Sequence, residues 1–118
     1  MGDFLVQTLK RELEDLEKAE KYYALLSIWN DLELTKREIQ LLAFMALEGN
    51  ISYSYSKEDF SRLYNSSPAT VNNMISKLKG TGLLVKVQGK YKVNPQIQLD
   101  FGRDIVLGFK LLSINEAA

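Results

Sequence analysis

The sequence contains no cysteine and no histidine. The first absence removes disulfides, thiolate nucleophiles and thiolate metal ligands. The second removes catalytic triads, imidazole general bases and most zinc sites. Glycine-rich phosphate loops are missing too: Gly80 and Gly82 form a short Gly-Thr-Gly, and no Gly-Lys-Ser/Thr follows a glycine run. No apolar stretch is long enough to cross a bilayer and no signal-peptide pattern opens the chain, so a cytoplasmic protein is expected. The carboxylates are scattered or lie among lysines on a helix surface, which leaves carboxylate-only chemistry without a constellation. Together these absences predict a binding protein rather than an enzyme, with no metal and no cofactor.

Net charge is the last thing lacking: 15 basic and 15 acidic side chains cancel over 118 residues. Their distribution is uneven. Residues 1–56 carry six basic and ten acidic groups, and residues 93–118 carry two and three. Between them, Lys57, Arg62, Lys77, Lys79, Lys86, Lys90 and Lys92 face only Glu58 and Asp59, a local net of +5. For a polyanionic partner such a segment matters more than the total.

The apolar pattern starts with a long helix, from Asp3 to about Asn30. Val6, Leu9, Leu13, Leu16 and Tyr23 follow a 3-4 spacing, with Glu20 in one core-type slot. This stripe suits either packing on the chain's own domain or dimerisation. A second helix starts at the capping-box pattern Thr35-Lys-Arg-Glu38. Its apolar face is Ile39, Leu42, Ala43, Ala46 and Leu47, and Gly49-Asn50 stops it. Ile51, Tyr53 and Tyr55 alternate with serines, which predicts a short strand. A third helix is expected after Ser56, with Phe60, Leu63 and Tyr64 on one face, ended by Asn65-Ser66-Ser67-Pro68. Ser67 then caps a fourth helix with Pro68 in its first turn, running to about Lys79 with Val71, Met74, Ile75 and Leu78 inward.

A hairpin follows. Keeping Val85, Val87, Tyr91 and Val93 on one face selects a three-residue loop, Gln88-Gly89-Lys90, and sets Lys86 opposite Lys92. Ile105, Leu107, Phe109 and Leu111 alternate near the end, which suggests a further strand. The expected fold class is mainly α with a small antiparallel β-hairpin. The chain divides into an N-terminal helix (1–32) able to serve dimerisation, a central domain (33–95) and a C-terminal apolar extension (96–118).

The order helix, short strand, helix, tight turn, helix, hairpin resembles the winged helix-turn-helix superfamily over roughly residues 34–95. The carrying residues are Leu34-Thr-Lys-Arg-Glu-Ile39, Lys57-Glu-Asp-Phe-Ser-Arg-Leu-Tyr-Asn65, Ser66-Ser-Pro-Ala-Thr-Val71, Leu78-Lys-Gly-Thr-Gly-Leu-Leu-Val-Lys-Val87 and Gly89-Lys-Tyr-Lys-Val-Asn-Pro95. The end of the hairpin, Tyr91 to Pro95, is also similar to plasmid and phage replication initiators. The resemblance implies a DNA-binding regulator or initiator whose fourth helix enters the major groove of duplex DNA.

On that helix the outward residues are Ser67, Ala69, Thr70, Asn72, Asn73, Ser76 and Lys77. Asparagine can pair with adenine through two hydrogen bonds, threonine can meet a thymine methyl, and lysine can reach phosphate or guanine. Lys86, Lys90 and Lys92 are the expected phosphate contacts of the hairpin. Like charges set across a sheet repel, and a polyanion along that face would relieve them; alternatively, exposed lysines only protect an edge strand. The fourth helix carries no arginine, so a homodimer that doubles the contacts fits this reading, through the N-terminal helix or the apolar tail. The zero net charge leaves room for another role, a phage or assembly adaptor that uses the same fold for protein contact.

Overall fold

A computed structural model describes residues 14–49, 54–106, 108 and 113. Val6, Leu9, Leu13, Ile51, Tyr53, Leu107, Phe109 and Leu111 of the expected patterns lie outside these residues. The fold is mainly helical, with four helices and a two-stranded antiparallel hairpin among the described residues.

The first helix, α1 (Asp15–Trp29), opens with Asp15 and Glu17 at its positive end. It buries Ala19, Tyr23 and Ser27, spaced by four so that they share one side of the helix. Leu16, Tyr22 and Leu26 flank that line. Glu20, the acid in a core-type slot, is half-buried. The helix stops without a glycine: Asp31 takes a left-handed φ of 51°, and the Leu32 amide turns back to the Ser27 carbonyl at 3.0 Å. This part of the N-terminal helix packs along the next helix of its own chain.

The second helix, α2 (Lys36–Glu48), starts on the expected box. Thr35 Oγ1 accepts from the Glu38 amide at 3.1 Å, and Glu38 Oε1 accepts from the Thr35 amide at 2.8 Å. Its buried surface is wider than the expected stripe. Leu41, Leu42, Ala43, Phe44, Met45 and Ala46 are all buried, whereas Ile39 is half-buried and Leu47 is exposed. The reason is position: α1, the helix that follows and the hairpin pack around α2, so consecutive residues point into core. Burying a leucine such as Leu41 or Leu42 fully contributes about 1.5–3 kcal/mol.

The third helix, α3 (Ser54–Tyr64), begins inside the stretch expected as a strand, so Tyr55 is helical. Ser56 and Phe60 are both buried and four residues apart, which extends the helical spacing backward past the serine-tyrosine alternation. Phe60 meets Phe44 edge-on at 5.4 Å and Tyr64 at 4.7 Å. Leu63, expected inward, is exposed. Asn65, at φ 51°, ends the helix, with the Ser66 amide donating to the Ser61 carbonyl at 3.0 Å.

The fourth helix, α4 (Pro68–Gly80), follows the sequence reading closely. Ser67 caps it, Pro68 opens it, and Val71, Met74, Ile75 and Leu78 are buried. It closes with Gly82 at φ 83°; the Leu83 amide donates to Leu78 and the Gly82 amide to Lys79, the paired bonds of a Schellman end. Leu83 is thereby delivered to the core beside Leu78.

The strands β1 (Leu84–Val87) and β2 (Lys90–Val93) do not pair as expected. The register is Leu84 with Val93, Val85 with Lys92, Lys86 with Tyr91, and Val87 with Lys90. The loop is therefore two residues, Gln88 and Gly89, with φ of 52° and 78°, both positive as a type I′ turn requires. Lys86 and Lys92 are not opposed, so the expected repulsion between them is absent. Only the Leu84–Val93 pair at the hairpin base is buried. Alternation at the exposed tip is not enforced by any core, and turn geometry decides the register.

Asn94 closes the hairpin base: its amide and side chain donate to the Leu83 and Gly82 carbonyls at 2.9 and 3.0 Å. A short 3-10 turn follows (Pro95–Ile97), whose Ile97 carbonyl accepts from the buried Tyr23 hydroxyl at 2.9 Å. Gln98 Nε2 then donates to the Ala46 carbonyl at 3.2 Å. Residues 98–106 form no helix or strand, so Ile105 does not belong to the strand expected there. No helix among the described residues is long and apolar enough to cross a membrane.

Candidate nucleic-acid interface

The outward side of α4 is bounded by two lysines held in different ways. On one flank, Lys77 Nζ lies 2.8 Å from Glu38 Oε2 and 3.0 Å from Oε1. On the other, Lys79 Nζ stands 5.6 Å from the centre of the Tyr91 ring on β2. At 100° per residue, Ala69, Asn72, Asn73, Ser76 and Gly80 occupy the strip between these flanks. All five are exposed. The strip therefore runs between the start of α2 and the hairpin.

Ser67 and Thr70 sit at the N-terminal end of this helix and are bound to each other. Ser67 Oγ accepts from the Thr70 amide at 3.1 Å and lies 2.8 Å from Thr70 Oγ1. Their first task is the cap, worth about 1 kcal/mol in helices generally. Lys77 also has structural work. Its partner Glu38 is only 4% exposed, and the same carboxylate completes the capping box of α2. Burial pushes the Glu38 carboxyl up, but the Lys77 ammonium and the Thr35 amide and hydroxyl outweigh it and hold the group below its ordinary value. Lys77 thus ties α4 to the first turn of α2.

The hairpin lysines fall on two faces. Lys86 shares a face with Tyr91, and its Nζ lies 5.4 Å from the ring centre. Two ammonium groups, from Lys79 and Lys86, therefore converge on one aromatic ring. Each is attracted by the ring quadrupole while repelling the other. Lys90 and Lys92 lie on the opposite face, beside Val87 and Val85. Lys92 borders a surface hollow lined also by Ala46, Gly49, Gln98 and Asp100. The structure thus brings Asn72, Asn73 and Lys86 to one side and separates Lys90 and Lys92 from them.

Lys79 and Tyr91 were missing from the sequence-derived site. A signal for Lys79 existed: it stands seven residues after Asn72, two turns along the same face. Tyr91 could not be placed, because its face depends on the register. Arg62, also in the basic segment, is bound to Asp59 on α3. Arg37, from the acidic half, stacks over Tyr64 at 5.4 Å.

No family model, curated protein or solved structure matches the chain.

Proposed function

We propose that this chain is a sequence-specific duplex-DNA-binding protein of the winged helix-turn-helix type, a cytoplasmic regulator or replication initiator without catalytic activity. The observation that carries the reading is the exposed polar strip of α4, bordered on its hairpin side by the two lysines that converge on Tyr91. A helix face of Asn72, Asn73 and Ser76 fits the major groove, where asparagine pairs with adenine. Lys79 and Lys86 reach the phosphates beside that groove. Lys90 and Lys92, on the reverse face of the hairpin, meet the backbone beyond it. Ser67 and Thr70 present their hydroxyls at the start of the helix, and the exposed side of Lys77 adds charge at its far flank.

The test is fluorescence anisotropy of a labelled duplex at about 50 and 200 mM salt. Four phosphate contacts predict a loss of affinity of roughly a hundredfold between them. Lys79→Ala with Lys86→Ala weakens binding on every duplex and lowers the salt slope by about 2, whereas Asn72→Ala or Asn73→Ala alters sequence preference. Absence of binding at the lower salt overturns the proposal and leaves the chain as a protein-assembly module.

A further inference from the structure

We infer that Tyr91 is a positioning residue of the DNA interface: its ring holds the ammonium groups of Lys79 and Lys86 where the duplex backbone meets them, and it acts on binding through them. The role rests on the DNA-binding reading above and concerns how the phosphate contacts are organised. Three elements meet at the ring. Lys79 comes from the last turn of α4, Lys86 stands directly across from Tyr91 on β1, and Tyr91 belongs to β2. The two Nζ atoms lie 5.6 and 5.4 Å from the ring centre, within reach of a cation–π contact.

The three side chains differ in freedom. Tyr91 is half-buried and packs against the core, so its ring is an anchored body. Lys79 and Lys86 are exposed. A long cationic side chain on an open surface samples many rotamers and surrenders them when it grips a phosphate. The ring imposes part of that ordering in the free protein. An ammonium carries three donors, so it can keep the ring on one side while it donates to a phosphate on another. Neither lysine forms an ion pair among the described residues, in contrast to Lys77 with Glu38. Their charges are not committed to a carboxylate. Drawn to one ring, the two ammonium groups also repel each other, and an anion arriving beside them offsets that repulsion. Both effects act in the same direction, towards the bound state.

Duplex affinity, measured by fluorescence anisotropy at the two salt concentrations above, tests the role. Tyr91→Leu keeps an apolar side chain against the core and removes the ring quadrupole. It should weaken binding about fivefold at the lower salt. The salt slope should not change, because both lysines remain. Tyr91→Phe keeps the ring and should restore the native affinity. In a chain that already carries Lys79→Ala and Lys86→Ala, Tyr91→Leu should have no further effect. A ring that served only the fold of the hairpin would weaken binding in both backgrounds, and that result overturns the inference. Native binding that Tyr91→Leu equals or exceeds overturns it alone, whereas a native chain that binds no duplex overturns the DNA reading and the role with it. Proton NMR reads the contact without DNA. The ring should shift the ε-methylene protons of Lys79 and Lys86 upfield in the native chain, and Tyr91→Leu should return them to ordinary values. Ordinary values in the native chain overturn the inference whether or not the variants fold.

Discussion

Glu38 carries more of the architecture than any other polar residue described. It accepts from the Thr35 amide at the start of α2 and from Lys77 at the flank of α4, in a nearly water-free position. Two variants separate its duties. Glu38→Gln keeps a side chain able to complete the capping box but removes the ion pair, and should cost about 1 kcal/mol near neutral pH. Lys77→Met leaves the carboxylate buried without its counterion and should cost more, about 2 kcal/mol, moderated because Lys77 is itself 49% exposed. The pH dependence follows from sign. The folded value of Glu38 lies below its ordinary value of 4.5, so its contribution is complete above that value and is lost as pH falls through the lower folded value. Urea midpoints measured from neutral pH down to about pH 3 should show this acid limb in the native chain. In Glu38→Gln the limb should be shallower. Equal limbs in both proteins would show that other carboxylates govern acid stability.

At the scale of elements, each helix ends on a residue with left-handed φ: Asp31, Gly49, Asn65 and Gly82. Two of these are glycine and two are the acid and amide most tolerant of that region. The hairpin turn uses the same conformation twice, at Gln88 and Gly89. Asparagine suits the first position of a type I′ turn better than glutamine, so Gln88→Asn should raise stability by about 0.5 kcal/mol. Gly89→Ala should lower it by about 1 kcal/mol. A Cβ at Gly89 has no neighbour within 4 Å, so the loss is conformational and not a clash. Thermal midpoints read both changes, and the opposite ranking would mean that the loop is not the two-residue turn. The sequence disclosed the elements that announce themselves locally. Thr35 with Glu38, and Ser67 with Pro68, fixed two helix starts because a cap is a contact across three residues. The fourth helix was legible because its inward residues recur at 3-4 spacing over two turns. Tyr55 was misread because six alternating residues mimic a strand, while the deciding pair, Ser56 and Phe60, needs a core to give it meaning. The hairpin register was misread because only Leu84 and Val93 are buried, which leaves the faces of the other six strand residues to the turn. The same error hid Tyr91, and with it the convergence of Lys79 and Lys86.

At the scale of the whole molecule, one core joins segments that composition divides. Ala19 and Tyr23 from the N-terminal helix lie in the same cluster as Val93 from the hairpin. The Tyr23 hydroxyl reaches Ile97, 74 residues along the chain. Tyr23→Phe deletes that donor and should reduce stability by about 1 kcal/mol while leaving a single cooperative transition. Burial first, and the neighbouring Tyr22 second, push the Tyr23 hydroxyl well above its ordinary value of 10.0. The tyrosine's advantage is thus full below pH 10 and shrinks above it, so the native chain and the Tyr23→Phe variant should converge in alkaline denaturation. A constant gap across that range would mean that the hydroxyl ionises as readily folded as unfolded. The two flanks of α4 have a consequence of a different kind. With Lys77 paired to Glu38 on α2 and Lys79 set over Tyr91 of the hairpin, the strip between them is held at both flanks, and these contacts oppose a roll of the helix about its own axis. Such a surface is stiff, and it loses little freedom when something settles on it. It selects among partners by their shape, and one whose contour departs from that of the helix must do the bending itself.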